Sequence, residues 1–143
     1  MRSNEFPEHI RIFFNQINAW SESQLNIIAI ALVGSFTRGE ATELSDVDLV
    51  IITSNPEAMI NNPAWIENFG RPLKINYEDW GKVQSIHAHY PNGLEVEFGI
   101  TGMNWLAQPI DEGTVSVIED GIQVVFEREG YLSAKLCEIL SVR

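Results

Sequence analysis

The apolar positions of this chain change period several times, and each change marks an element. Ile10, Phe13, Phe14 and Ile17 recur at spacings of three and four, so residues 7–20 predict a helix with one apolar face. Pro7 suits its first turn, where a missing N–H costs nothing. The run LNIIAIALV (25–33) is apolar without a break, as in a strand covered on both faces, and it stops at Gly34-Ser35. Residues 37–43 are polar and short, and predict one or two helical turns. Residues 45–53 predict a second strand, alternating in its first half and wholly apolar in its second. Asn55-Pro56 ends it, a helix follows through Met59 and Ile60, and residues 65–69 add a further helical turn.

From Leu73 the pattern is that of strands. Residues 83–90 and 94–101 flank Pro91-Asn92-Gly93, a hairpin signal. Two registers compete. A two-residue Asn-Gly turn sets His87 and His89 opposite Val96 and Phe98. A three-residue loop pairs Ile86 with Phe98 and Ala88 with Val96, leaving the histidines beside Glu95 and Glu97; apolar matching favours this one. A second hairpin is expected from 114–118 and 122–126, turning at Asp120-Gly121. Residues 131–142 close as a helix with Leu132, Leu136, Ile139 and Leu140 on one side. The fold class is α/β of the α+β kind, a mixed sheet with helices packed on one face. No repeat or linker divides the 143 residues, so one domain is expected.

Composition narrows the partners. A hydrophobic fraction of 45% and a charged fraction of 20% are ordinary for a globular protein. The net charge of −11, with nine Lys and Arg and no basic run, argues against long nucleic acid as a partner. It is compatible with a cationic small molecule, a basic protein, or solubility alone. Cys137 is the only cysteine, which excludes an intrachain disulfide; a buried, inert thiol in a reducing cytoplasm is the expectation. No signal peptide and no apolar stretch of about 18 residues are visible, so no membrane partner is expected.

The chemistry gathers in VGSFTRGEATELSDVDLVII (33–52). Side chains alternate along a strand, so Asp46 and Asp48 project from one face, roughly 6.5–7 Å apart at their backbones. Two like charges brought to about 4 Å repel by on the order of 4 kcal/mol at an effective dielectric near 20. A divalent cation turns that repulsion into ligation, and magnesium prefers carboxylate oxygens. At the other strand end, Gly34 lets a ligand approach the backbone, free amides there can cradle phosphate oxygens, and Ser35 adds a hydroxyl. Arg38 can neutralise a phosphate oxygen. His87 and His89 share a face but lack a third ligand at zinc spacing, and read as strand residues. The four tryptophans read as core, and Asp111 with Gly113-Thr114 as turn chemistry. A Ser-His-Asp hydrolase has no support, since Gly34-Ser35 lacks the Gly-x-Ser-x-Gly elbow.

An apolar strand, Gly34-Ser35, a spacer, and Asp46-x-Asp48 opening a strand resemble the nucleotidyltransferase superfamily, which includes DNA polymerase beta and the aminoglycoside nucleotidyltransferases. The string GSFTRGEATELSDVDL looks especially like the minimal nucleotidyltransferases of bacteria and archaea. The resemblance is strong over about residues 27–53. It implies a nucleotidyltransferase-type fold and a magnesium-dependent, two-metal transfer of a nucleoside monophosphate, AMP from ATP being the expected case, to a hydroxyl of a small molecule or protein. On that resemblance Gly34, Ser35 and Arg38 hold the nucleotide, and Asp46 and Asp48 hold metal. The superfamily also has a third carboxylate on a later strand. Glu95 and Glu97 both qualify, and Glu97 is preferred because it lies deeper in its strand. The family usually has Asp there. The minimal relatives imply two alternatives: an antitoxin-like module that binds a helical toxin protein, or a nucleotide-binding relative without catalysis.

Overall fold

The computed structural model describes residues 6–42 and 45–141. Helix α1 (Glu8–Ser23) leads into strand β1 (Ile27–Val33) and a 3-10 turn, Gly34–Thr37. Strand β2 (Val47–Thr53), helix α2 (Pro56–Asn61) and a 3-10 segment, Pro63–Phe69, follow. Then come β3 (Lys74–Asp79), β4 (Gln84–His89), β5 (Glu95–Thr101), a 3-10 turn at Met103–Leu106, α3 (Glu112–Asp120), β6 (Ile122–Glu127) and α4 (Tyr131–Ser141). The strands form one mixed sheet in the order β3-β4-β5-β2-β1-β6. Among the described strands only β2 and β5 pair in parallel. The mixed α/β architecture is the one expected.

The helices, expected on one face, occupy both. Ile30, Leu32, Leu49, Ile51, Val96 and Phe98 face α1 and the Pro63–Phe69 segment, through Ile10, Phe13, Ile17, Ile66 and Phe69. On the opposite face Ala29, Ala31, Val50 and Ile52 meet Leu132 and Ile139 of α4, Ile118 of α3, and Trp105. Strands apolar on both faces need cover on both, which the unbroken runs in β1 and β2 require. The outer strands differ: β4 and β5 alternate, and their second face carries Ser85, His87, His89, Glu95 and Glu97 instead of a core. The second layer therefore stops partway across the sheet, and the polar end of that face stays open.

Three further expectations are corrected. Residues 114–118 lie in α3, not in a hairpin strand. The Asp111 side chain accepts from the Thr114 backbone N–H at 2.8 Å and from its hydroxyl at 3.0 Å. That N-cap overrides the β-branched alternation of Thr114, Val115 and Val117, and β6 pairs with β1 instead. The helical turn expected over 37–43 comes earlier, at Gly34–Thr37, held by the Thr37 hydroxyl donating to the Gly34 carbonyl at 2.6 Å. Glu43 lies outside the described residues. Cys137 is exposed rather than buried, and Leu140 is 47% exposed because Tyr131, Leu132, Leu136 and Ile139 make the face of α4 that turns to the sheet. Among the described residues no helix is long and apolar enough to cross a membrane.

Candidate active site

Register brings the predicted residues to one end of the open face. Val33 pairs with Asp48, Asp48 with Glu97, and Glu97 with His87, so these positions form a row across four strands. The β4–β5 hairpin takes the three-residue loop register, with Ile86 opposite Phe98 and Ala88 opposite Val96. Both histidines thus stand beside the glutamates. At the head of the row the chain turns sharply at Gly34, whose φ of +80° is open to glycine at little cost. A Cβ there would overlap Asp48 Oδ2, so the missing side chain is what lets this carboxylate lie against the Gly34-Ser35 corner.

The carboxylates do not all gather at one point. Asp48 and Glu97 interact directly, whereas the Asp46 side chain pairs with Glu95 and lies 3.4 Å from His87 Nε2. Burial raises the Asp48 carboxyl to about 7, with the charges of Glu97 and then Asp46 adding to the rise. Burial also raises Asp46, followed by its hydrogen bond to Glu95; that same bond holds Glu95 below its ordinary value, helped by the two histidines. Arg38 is exposed and pairs with Glu40 at 2.7 Å.

Sequence reasoning missed the neighbourhood of the row. A cavity of about 550 Å3 opens beside Asp48 and Glu97, walled by Trp80, Val83 and Trp105, with α3 closing its far side. Lys82 and Asp111 approach to 3.7 Å at its rim. Alternation along β5 could have placed Gly99 on this floor with Glu97. Nothing local in the sequence could have brought Trp105 or α3 over it, because that depends on where the chain returns after β5. Of the four tryptophans expected in the core, Trp105 is buried, and Trp20 and Trp65 stack on each other at 5.5 Å against the core, whereas Trp80 is 62% exposed, because the second layer does not cover its end of the sheet.

A family model described as nucleotidyltransferase domain matches residues 15–98, a span that contains every predicted site residue. The chain belongs to that family. Among solved structures 23 chains match this nucleotidyltransferase domain. One is an aminoglycoside 6-adenyltransferase from Bacillus subtilis, with 16% identity, a TM-score of 0.46, and coverage of 65% of this chain and 36% of that one. The chain thus spans little more than a third of that protein's length. No curated protein matches it.

Proposed function

We propose that this nucleotidyltransferase domain catalyses magnesium-dependent transfer of a nucleoside monophosphate, AMP from ATP, to a hydroxyl group. In this reading Asp46, Asp48 and Glu97 hold the metal, and Gly34, Ser35 and Arg38 receive the triphosphate. The observation that carries it is the pairing of Asp48 with Glu97 in adjacent strands, directly against the glycine-serine corner. The donor set suits magnesium: it is all carboxylate oxygen, and the charge that burial and neighbours disfavour on Asp48 is the charge a divalent cation would stabilise. Bound magnesium would supply electrostatic stabilisation of the phosphates and alignment of the reacting oxygens.

The chain's own residues do the rest. The acceptor oxygen attacks the α-phosphorus, the bond from that phosphorus to the β-bridging oxygen breaks, and pyrophosphate leaves. Glu97 takes the hydroxyl proton. The Gly34 and Ser35 amides and the Ser35 hydroxyl orient the departing phosphates, and Arg38 exchanges Glu40 for a phosphate oxygen. That exchange costs little, since an exposed ion pair contributes about 0–1 kcal/mol. The cavity beside Asp48 and Glu97 has the volume and apolar walls for a small acceptor.

Labelled ATP, magnesium and a panel of hydroxyl compounds test this directly. Asp46→Asn and Asp48→Asn should each abolish transfer and weaken magnesium-dependent ATP binding. Two variants that match the wild type would remove the assignment. Glu97→Gln should cost roughly 10²–10³-fold in kcat, as losing a group that acts on developing charge does, and far more than Glu95→Gln. The reverse order would move the third-carboxylate role to Glu95.

A further inference from the structure

Two histidines and one carboxylate, His87, His89 and Glu95, remain beside the site once the proposed magnesium ligands are set aside. His87 and His89 alternate along β4, and Glu95 is the direct cross-strand partner of His89. The three donor atoms, one from each residue, lie within 4.8 Å of one another. His89 Nδ1 is 3.2 Å from Glu95 Oε1, and His87 Nε2 is 3.6 Å from Glu95 Oε2 and 3.4 Å from Asp46 Oδ2. His87 Nε2 is shielded from solvent, yet its geometry makes no hydrogen bond to either carboxylate. A buried ring nitrogen aimed between two carboxylates and bonded to neither lacks the partner its environment demands.

We propose that His87, His89, Glu95 and Asp46 form a second cation site that takes a zinc-class transition-metal ion. Zinc bonds of about 2.0–2.2 Å to nitrogen and oxygen place tetrahedral ligands about 3.3–3.6 Å apart, close to the separations of His87 and His89 from Glu95 and of His87 from Asp46. Asp46 lies outside the three-residue cluster and must move toward His89 to complete the set. Two imidazoles also decide the class: nitrogen donors favour zinc, cobalt or nickel over magnesium, which suits the all-carboxylate set of Asp46, Asp48 and Glu97. The two imidazole rings stack with centroids 4.7 Å apart, which sets both beside Glu95. Asp46 belongs to both donor sets. On the proposed function, zinc would therefore compete with the triphosphate-bound magnesium for that side chain.

The test uses the full chain without nucleotide, so it stands or falls separately from the transferase activity. After chelation, the protein is titrated with zinc against a chromophoric competitor, and with cobalt while the visible d–d bands are followed. Long-range nitrogen-15 spectra of the histidine rings report coordination in the unaltered protein. We expect one zinc per chain, shifts at His87 Nε2 and His89 Nδ1 but not at His9, and tetrahedral cobalt bands. His87→Gln and His89→Gln should each weaken zinc by at least tenfold, a loss seen even when residues behind metal ligands are removed. Asp48→Asn and His9→Gln should keep wild-type zinc affinity. Histidine signals unmoved by zinc would overturn the site. Equal affinity in the His87 and His89 variants would overturn it as well.

Discussion

Gly34 and Asp48 occupy space that only one of them can fill. The left-handed backbone at Gly34 already disfavours any side chain, and a Cβ there would collide with the Asp48 carboxylate. Gly93 has a similar φ of +86° but nothing within 4 Å of the same hypothetical atom. The two positions therefore separate backbone strain from the close approach. Gly93→Ala should cost about 1–2 kcal/mol, the expense of left-handed backbone for an L residue. Gly34→Ala should cost that and more, because Asp48 must move, and it should also weaken magnesium-dependent ATP binding. Urea midpoints and ATP titration of both variants check this. Equal stability losses, with ATP binding unchanged in Gly34→Ala, would mean that the carboxylate accommodates a methyl group without consequence.

At the level of elements, one side chain ties three of them together. Arg128, just beyond β6, donates through Nε to the Ile27 carbonyl at 2.8 Å and through Nη2 to those of Ser21 at 2.8 Å and Gln24 at 2.9 Å. These carbonyls belong to the end of α1 and the entry to β1, where those of Ser21 and Gln24 also accept the backbone N–H groups of Gln24 and Ile27. Arg128→Met should lower stability by about 2 kcal/mol, in the range for hydrogen bonds to a charged group, and leave ATP affinity unchanged. Thermal unfolding checks it, and an unshifted midpoint would reduce the clasp to a surface contact. Arg128 was invisible in the sequence because its partners lie about a hundred positions away; Asp111 was visible but read as a turn rather than a helix cap. The strands β1, β2, β4 and β5 were legible because each carries its own apolar period, and the β4–β5 register because only one alignment matches Ile86 with Phe98. The Asp46-x-Asp48 pair and its place after Gly34-Ser35 were legible for the same local reason. What could not be read is which face α3 and α4 would cover, and hence the cavity wall at Trp105, since local period does not encode the path of a crossover. Nor did spacing foretell that Asp46 would turn to Glu95 and His87, because that depends on competition among six side chains from three strands.

Across the molecule, the partial second layer determines how stability responds to pH. One face of the sheet is closed by α1, while the other leaves an acidic cluster half-buried at its end, in a chain whose net charge is −11. Asp48 has an ordinary value of 3.8 and is raised to about 7 in the folded protein, so folding favours its protonated form. Its stabilising contribution is complete below about pH 4 and is lost as pH rises through about 7. Glu95, Asp111 and Glu127 are shifted the opposite way, chiefly by hydrogen bonds from Asp46, Thr114 and Ser133, so their contributions fade in acid. The metal-free protein should therefore be most stable near pH 4–5 and lose thermal midpoint toward the alkaline side mostly between about pH 4 and 7. Magnesium should flatten that alkaline loss, because it holds Asp48 ionised, and its apparent affinity should rise with pH until Asp48 no longer has a proton to displace. Asp48→Asn should abolish both effects and raise the metal-free midpoint at pH 8 by about 4 °C, the equivalent of about 1 kcal/mol in a domain this size. Thermal scans of both proteins across this pH range, with and without magnesium, decide the matter. An alkaline loss that persists in Asp48→Asn would trace it to overall charge repulsion rather than to this carboxyl.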